Sequence, residues 1–194
     1  MLSETIVNTI FKALDLKQTE KDNILSKLEY IQVKKGELLL MQNHDVKDQF
    51  FVLNGCLRTY HLDDSGKEHT LQFAIKDWWI SDYIALWANR KSVLNVACIQ
   101  DAELVKISQQ DLDQLFSEVP KLNAFFRLKL QNAFVRQEKR ILANLTKTAK
   151  ERYIDFLKVY PDFEKHIKNF HIASYLGITT ESLSRIRKEI SLKA

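Results

Sequence analysis

The chain has 194 residues, of which 45% are hydrophobic and 28% are charged, so it can bury one large core or two modest ones. Four glycines and two prolines exclude collagen-like and flexible-linker compositions. No stretch approaches the roughly 20 apolar residues of a membrane-spanning helix, and the N-terminus lacks the features of a secretion signal. These observations predict a cytoplasmic protein with no membrane partner.

Positive charge is concentrated in the C-terminal part of the chain. Residues 1–120 contain 13 Lys and Arg against 18 Asp and Glu, whereas residues 121–194 contain 16 against 7. A basic segment favours a polyanionic partner because Lys and Arg neutralise phosphates, although a solvated basic helix surface is the alternative. Cys56 and Cys98 lie far apart in apolar surroundings and are predicted to be reduced, buried thiols.

The N-terminal part predicts a small β structure behind two short helices. The helices fall within residues 2–28, where apolar residues recur at helical spacing. Turn signals at Lys35-Gly36, Asn54-Gly55 and 63–66 then separate short β-rich runs, at residues 30–33, 38–41, 49–53, 57–62, 69–75 and, in pieces, 93–107. Such runs predict an antiparallel barrel or jelly-roll. A helix is predicted to interrupt them at residues 78–87, and a further short helix follows at 109–117.

A long helix is predicted at residues 121–145, which contain neither Gly nor Pro. It would be about 37 Å long at 1.5 Å per residue. Its apolar residues recur three, four or seven apart along one stripe, at Leu122, Phe126, Leu130, Phe134, Ile141 and Leu145. The stripe needs cover, either from the β structure of the same chain or from a second copy in a parallel coiled-coil-like dimer. We favour the dimer.

The last fifty residues predict a helix-turn-helix. A helix at residues 148–160 ends at Pro161, and residues 170–190 then form two helices joined by a tight turn. Gly177 is expected to adopt the left-handed conformation that ends the first helix, and Thr179 to cap the second through its hydroxyl. The second helix has a predicted buried stripe of Leu183, Ile186 and Ile190, and an opposite polar face.

That polar face suits the edges of base pairs. Arg185 can bind guanine O6 and N7, and Glu181 can accept from a cytosine amino group. Backbone amides near the helix start, Arg187 and Lys188 are expected to meet phosphates. A protein-binding or merely solvated face is the alternative, but we favour DNA. The predicted DNA-binding residues are Thr179, Thr180, Glu181, Ser184, Arg185, Arg187 and Lys188.

Residues 172–187 resemble the helix-turn-helix of the Crp/Fnr regulator superfamily, with its signature of Leu-Gly followed by Glu-Ser/Thr-Leu/Val-Ser-Arg. Upstream, Lys35-Gly36-Glu37 and residues 50–58 resemble the β-roll of the same superfamily. The resemblance covers essentially the whole chain. It implies a cyclic-nucleotide-binding-like β-roll, dimerisation through the long helix, control of transcription in a bacterial cytoplasm, and base contacts at Glu181 and Arg185.

The sequence departs from the cyclic-nucleotide-binding members of that superfamily. Their phosphate clamp is a Gly-Glu followed by Arg-Ser or Arg-Thr, whereas residues 76–82 contain no Gly-Glu and Lys91-Ser92 supplies a point charge in place of a fork. Neither cysteine belongs to a cluster that would hold an iron-sulfur centre. We therefore expect an unknown effector or none, and not cyclic AMP. Aromatic residues crowd this segment, and the candidate effector residues are Trp79, Tyr83, Lys91 and Ser92.

Two other functions fit parts of the sequence. A cupin-like metal-binding β-roll enzyme would use His44, His61 and His69 with Glu37 and Glu68, but cupin sites bring two histidines within a few residues of each other. A protein-interaction module would bind an acidic partner through its basic half. No nucleophile, pair of catalytic carboxylates or phosphate-binding glycine loop stands out, so neither an enzyme nor a cofactor or metal is expected.

Together the patterns predict an α+β protein of three parts. These are a jelly-roll-like antiparallel β-roll sensor domain at residues 1–120, a long dimerisation helix at 121–145 and a helix-turn-helix DNA-binding domain at 146–194. The predicted partners are a palindromic double-stranded operator, a second copy of the chain and RNA polymerase. The sequence names neither the operator nor the target genes, and it does not distinguish activation from repression.

Overall fold

The computed structural model describes residues 3–161 and 167–192. Within these residues the chain forms eight helices and six strands. The helices are α1 (Glu4–Ile10), α2 (Gln18–Lys27), α3 (Tyr83–Ala88), α4 (Gln109–Glu118), α5 (Lys121–Thr146), α6 (Ala149–Val159), α7 (Asn169–Leu176) and α8 (Thr180–Ser191). The strands are β1 (Glu29–Val33), β2 (Leu38–Leu40), β3 (Asp48–Leu62), β4 (Glu68–Ala74), β5 (Trp79–Ile80) and β6 (Asn95–Ser108).

The strands form one antiparallel sheet that folds into a β-roll. Its order is β1-β6-β3-β4, while β2 also pairs with β6 and β5 with β3. Successive side chains of a strand point to opposite faces, and the inner face is fully buried, as at Val52, Leu57 and Leu104. The predicted α+β class and antiparallel β-roll are confirmed. Cys56 and Cys98 are buried free thiols, as predicted.

The predicted turn at Asn54-Gly55 is wrong, because β3 continues through it as one strand of 15 residues. Gly55 has a φ of +87°, and the register between β3 and β6 shifts on both sides of it. The glycine therefore forms a β-bulge, which bends the long strand without ending it. A turn signal and a bulge signal look alike in sequence since both need a positive φ.

The predicted helix at residues 78–87 is wrong in its first half. Trp79 lies on β5 opposite Phe51, and α3 begins only at Tyr83. The carboxylate of Asp82 sets that start, since it accepts hydrogen bonds from the backbone amides of Ile84 and Ala85. A capping carboxylate of this kind fixes where a helix begins.

Helix α5 changes its surroundings along its length. In its first two turns Leu122, Phe125 and Phe126 are buried against α1, α2 and α4. From there on the apolar side chains of α5 are exposed, with fractions of 63% at Phe134 and 59% at Ile141. The predicted stripe is thus covered by its own protomer at one end and uncovered in this chain at the other.

Helices α6, α7 and α8 share one core with the outer face of the β-roll. Cys56, Phe73 and Ile99 of the roll lie in the same buried cluster as residues of these helices, among them Tyr153, Phe156, Ile172 and Leu183. Phe73 contacts the rings of Phe156 and Tyr160 edge to face, at centroid distances of 6.1 and 5.7 Å. The helix-turn-helix is therefore seated on the roll.

We predict that Gly55→Ala destabilises the protein by about 2 to 5 kcal/mol, from left-handed strain and overpacking together. An ideal Cβ at Gly55 would lie 2.3 Å from the carbonyl oxygen of Asp101. Gly66→Ala is the matched control, because Gly66 has a φ of +81° and open space around its Cβ position. It should lose only the strain, about 1 to 2 kcal/mol. Equal losses in urea unfolding would contradict the bulge assignment.

Candidate nucleic-acid interface and effector pocket

The turn between α7 and α8 has the predicted geometry. Gly177 is left-handed, with a φ of +67°, and the Ile178 amide donates to the carbonyl of Ala173 at 3.0 Å. The hydroxyl of Thr179 accepts from the backbone amide of Ser182 at 3.2 Å and caps α8. Both local predictions are confirmed. They matter because this cap fixes where α8 begins and hence which residues lie in its first turn.

Helix α8 presents one buried and one exposed face. Leu183 and Ile186 are buried in the core shared with the roll. The opposite face is exposed, and it carries Glu181, Ser184, Arg185 and Lys188. Arg185 lies 3.5 Å from the hydroxyl of Ser182 and has no ion pair within residues 3–161 and 167–192. Its guanidinium is available to a partner.

Glu181 is held as a carboxylate at the start of α8. Its own backbone amide, followed by the hydroxyls of Thr179 and Thr180, lowers the pKa of this exposed side chain below its usual value. A carboxylate only accepts hydrogen bonds. It therefore suits a donor such as the cytosine amino group.

Arg187 does not share the exposed face of α8. Its Nε donates to the hydroxyl of Tyr153 at 3.0 Å, and its Nη1 donates to the side-chain carbonyl of Asn169. These contacts tie α8 to α6 and α7. The structure thus places six of the seven predicted DNA-binding residues around the cap and outer face of α8, and Arg187 on its inner side.

The four predicted effector residues do not converge on a phosphate clamp. Ser92 is buried, with its hydroxyl 2.8 Å from Oδ2 of Asp82 and 2.6 Å from the Leu94 carbonyl. Lys91 is exposed and pairs with Asp45 at 2.7 Å. Trp79 packs between Phe51 and Phe126, and Tyr83 packs on Trp87.

Asp82, which sequence reasoning missed as part of this site, determines its electrostatics. The residue is fully buried, and its Oδ2 also accepts from the backbone amides of Val93 and Leu94 at 2.9 and 3.1 Å. The buried carboxylate of Asp82 already accepts from the amides and the hydroxyl that a bound phosphate would need. Two acidic groups this close would also repel each other. The residues present do not fit a cyclic nucleotide phosphate.

Comparison with known proteins agrees with this architecture. Residues 30–119 match the cyclic nucleotide-binding domain family. The transcriptional activator protein Anr of Pseudomonas aeruginosa is 25% identical over 168 residues, which cover 79% of this chain and 67% of that protein. The chain is therefore similar to this domain family over its β-roll, and to a transcriptional regulator over most of its length.

Solved structures show the same fold as this chain. One from Eubacterium rectale, described as a Crp/Fnr-family regulator, superposes with a TM-score of 0.73 at 22% identity and covers 96% of this chain and 88% of that one. A CooA variant from Carboxydothermus hydrogenoformans gives 0.75 at 17% identity, with coverages of 95% and 85%. Curated relatives of this chain, such as FnrA of Stutzerimonas stutzeri, are named as transcriptional regulators.

Two features of the described residues bear on the metal-enzyme and membrane classes. Among the described residues, no group of three or more His, Cys, Asp or Glu could hold a metal ion. His61 and His69 face each other across the β3–β4 pair, and His69 binds Asp63 at 2.7 Å. None of the described helices is long and apolar enough to cross a membrane.

Polar side chains attach the helix-turn-helix to β4. The hydroxyl of Ser174 lies 2.6 Å from the carbonyl of Glu68 and accepts from the Thr70 amide at 2.9 Å. Nearby, buried Arg58 donates to Glu68 at 2.6 Å, and the His171 ring lies 3.9 Å from the same carboxylate. Burial first, then the charges of Arg58, Lys168 and Lys35, lower the pKa of His171 to about 3.

We predict that His171 makes this protein less stable as the pH falls from 7 to 5.5. The unfolded imidazole takes up a proton below about 6.5, whereas the folded one stays neutral down to about 3, so only the unfolded state gains protons in this window. Wild type should lose about 1 kcal/mol more than His171→Gln between these pH values, as measured by urea unfolding. The exposed His44→Gln controls for the loss of a histidine, and parallel profiles for wild type and His171→Gln would contradict the assignment.

Proposed function

We propose that the chain is a transcription regulator that binds a palindromic operator as a homodimer and reads bases with α8. The observation that carries the proposal is the outer face of α8, where four polar side chains are exposed behind a well-formed cap. The net positive charge of residues 121–194 supports it. Residues 1–120 act as the sensor, 121–145 as the dimerisation helix and 146–194 as the DNA-binding part.

The proposed readout follows from side-chain chemistry. Arg185 forms a bidentate pair with a guanine, and Glu181 accepts from a cytosine. Lys188 and the amides at the start of α8 meet phosphates, where they orient the protein without specifying sequence. We leave Arg187 out of the contacting set, since its guanidinium is engaged by Tyr153 and Asn169.

The proposed dimer is supported by the uncovered part of α5. Apolar side chains there are exposed from 44% to 78%, at Leu130, Phe134, Ile141, Leu142 and Leu145. Exposed apolar side chains recurring along one helix mark an association surface, and a parallel second copy of α5 has the matching length and pattern. Two recognition helices would then meet half-sites about 34 Å apart.

Regulation through cyclic AMP is not part of the proposal, because in the clamp region the Ser92 hydroxyl already donates to the Asp82 carboxylate. The protein would act in the bacterial cytoplasm, and contact with RNA polymerase remains a prediction.

Selection from random duplex DNA with the purified protein tests the function. Recovery of a palindrome supports it, whereas retention of duplexes without a common sequence contradicts it.

Arg185→Ala should weaken binding to the selected operator by about 1 to 3 kcal/mol and leave binding to random duplex nearly unchanged. Lys188→Ala is the matched control for loss of one positive charge on the same face, and it should weaken both duplexes alike. Fluorescence anisotropy at fixed salt measures both. Equal losses for the two variants on the two duplexes would show that Arg185 reads no base.

Phe134→Asp should dissociate the dimer, because a carboxylate would be buried opposite its counterpart in the second copy. Light scattering at micromolar protein should give a monomer mass, and operator affinity should fall with it. Ile84→Asp, at a comparably exposed apolar position on α3, should remain a dimer. A wild-type monomer with full operator affinity would refute association through α5.

A further inference from the structure

A crevice of about 440 Å³ opens between three parts of the chain. Its walls are the inner face of α5, strand β4 with the adjoining Trp78, and helices α6 and α7. None of the four sequence-predicted effector residues lines it. Its volume lies within the range of pockets that bind small organic molecules.

The floor of the crevice is apolar and aromatic. Trp78, Phe156, Tyr160 and Tyr175 line it, with the rings of Trp78 and Tyr160 5.8 Å apart at their centroids. Ala133 and Ala143 of α5 lie on the opposite wall and leave room because their side chains are small. Such a floor favours the apolar part of a ligand, since each buried CH₂ group contributes about 0.8 kcal/mol.

The rim of the crevice is strongly basic. It carries one acidic residue, Asp155, against six cations, Arg136, Lys139, Arg140, Lys147, Arg152 and Lys158. Asp155 already pairs with Lys147 and Lys158. Arg140 and Arg152 donate to backbone carbonyls.

Two cations on the rim, Arg136 and Lys139, have neither an acidic nor a hydrogen-bonded partner within the described residues. The guanidinium of Arg136 lies 4.5 Å above the Trp78 ring, and neither Arg136 nor Lys139 forms an ion pair within the described part of the chain. Arg136 therefore holds its charge directly over the apolar floor. An anionic group bound there would gain charge-assisted hydrogen bonds, while a cation would be repelled.

We propose that this crevice binds an amphipathic organic anion, an acyl or aryl carboxylate, and that the bound anion alters DNA affinity. The carboxylate lies at Arg136 and Lys139, and the apolar body lies against Trp78 and Phe156. Because the walls belong to the roll, α5 and the helix-turn-helix, an occupant that prefers one arrangement of these parts shifts the population toward it. The effect on DNA rests on the proposed function, whereas the binding site does not.

Calorimetry on the full chain tests the site with decanoate, and decyltrimethylammonium serves as the charge-reversed control. Decanoate should bind and the cation should not. Arg136→Gln should weaken decanoate at least about tenfold, as expected for loss of a charge-assisted hydrogen bond, and Ala133→Phe should abolish binding by filling the crevice. Lys91→Ala, in the clamp region of the roll, should bind decanoate as wild type does.

Anisotropy with the selected operator tests the coupling. Adding decanoate should change the operator affinity of wild type several-fold. It should not change the operator affinity of Ala133→Phe. Equal decanoate binding by wild type and both crevice variants, or loss in Lys91→Ala alone, would overturn the site. The site would also be overturned if neither decanoate nor 4-phenylbutyrate bound wild type up to about 1 mM. This includes the case in which a second copy of the chain covers the crevice, which Ala133→Phe would reveal by shifting the monomer–dimer equilibrium.

Binding without any change in operator affinity would overturn the coupling alone. If the protein selects no palindrome, the proposed function fails, yet the calorimetric comparison still decides the site.

Discussion

The guanidinium of Arg140 joins three parts of the chain, namely α5, β4 and α7. From α5 it donates to the carbonyls of Leu71 and Thr70 on β4 and to the carbonyl of Tyr175 at the end of α7. β4 is an edge strand and α7 has just ended, so both leave backbone carbonyls without partners. Only arginine offers enough donors in one rigid fork to bind all three.

The hydrophobic cluster around Phe73 holds the helix-turn-helix against the roll beside the contacts of Arg140. The roll contributes Phe73 itself, and the helix-turn-helix contributes Leu183 from the inner face of α8. The Tyr160 hydroxyl donates to the Phe73 carbonyl at 3.2 Å. Because one side of α8 is buried in this shared cluster, its opposite side must face outward, and the direction of the proposed DNA-reading surface is set by the roll.

This arrangement would give the proposed sensor a physical route to α8. Ser174 bonds both the Glu68 carbonyl and the Thr70 amide, so any shift of β4 is transmitted to α7 without an intervening loop. The crevice beside Trp78 lies at the same junction. A ligand that changes the spacing between α5 and α6 would act on the orientation of α8 directly, whereas a ligand inside the roll would have to move β4 first.

Local signals in the sequence predicted the parts of the structure that depend on nearby residues. Gly177 and Thr179 act within one turn of their own positions, and the spacing of apolar residues identified α5. The helix predicted to include both Trp79 and Tyr83 was wrong in its first half. Asp82 lies between these two residues and caps a helix that begins at Tyr83, and the spacing of apolar residues cannot show such a cap.

The contacts of Arg140 with β4 and α7 could not be predicted from the sequence for a different reason. Arg140 binds carbonyls 69 and 70 residues earlier in the chain, and nothing in a run of helix residues distinguishes such an arginine from its exposed neighbours. The contact of Arg187 was hidden from the sequence in the same way, since its partner Tyr153 lies 34 residues away.

The contacts of Arg140 fix the helix-turn-helix on the roll. Pulsed dipolar spectroscopy tests it with spin labels at Ser65→Cys on the roll and Ser184→Cys on α8, both exposed, while Cys56 and Cys98 are buried. Diluting labelled with unlabelled chain restricts the measurement to one protomer. We expect one narrow distance distribution in the wild-type background and a broad one in Arg140→Gln. Identical narrow distributions in both would contradict it.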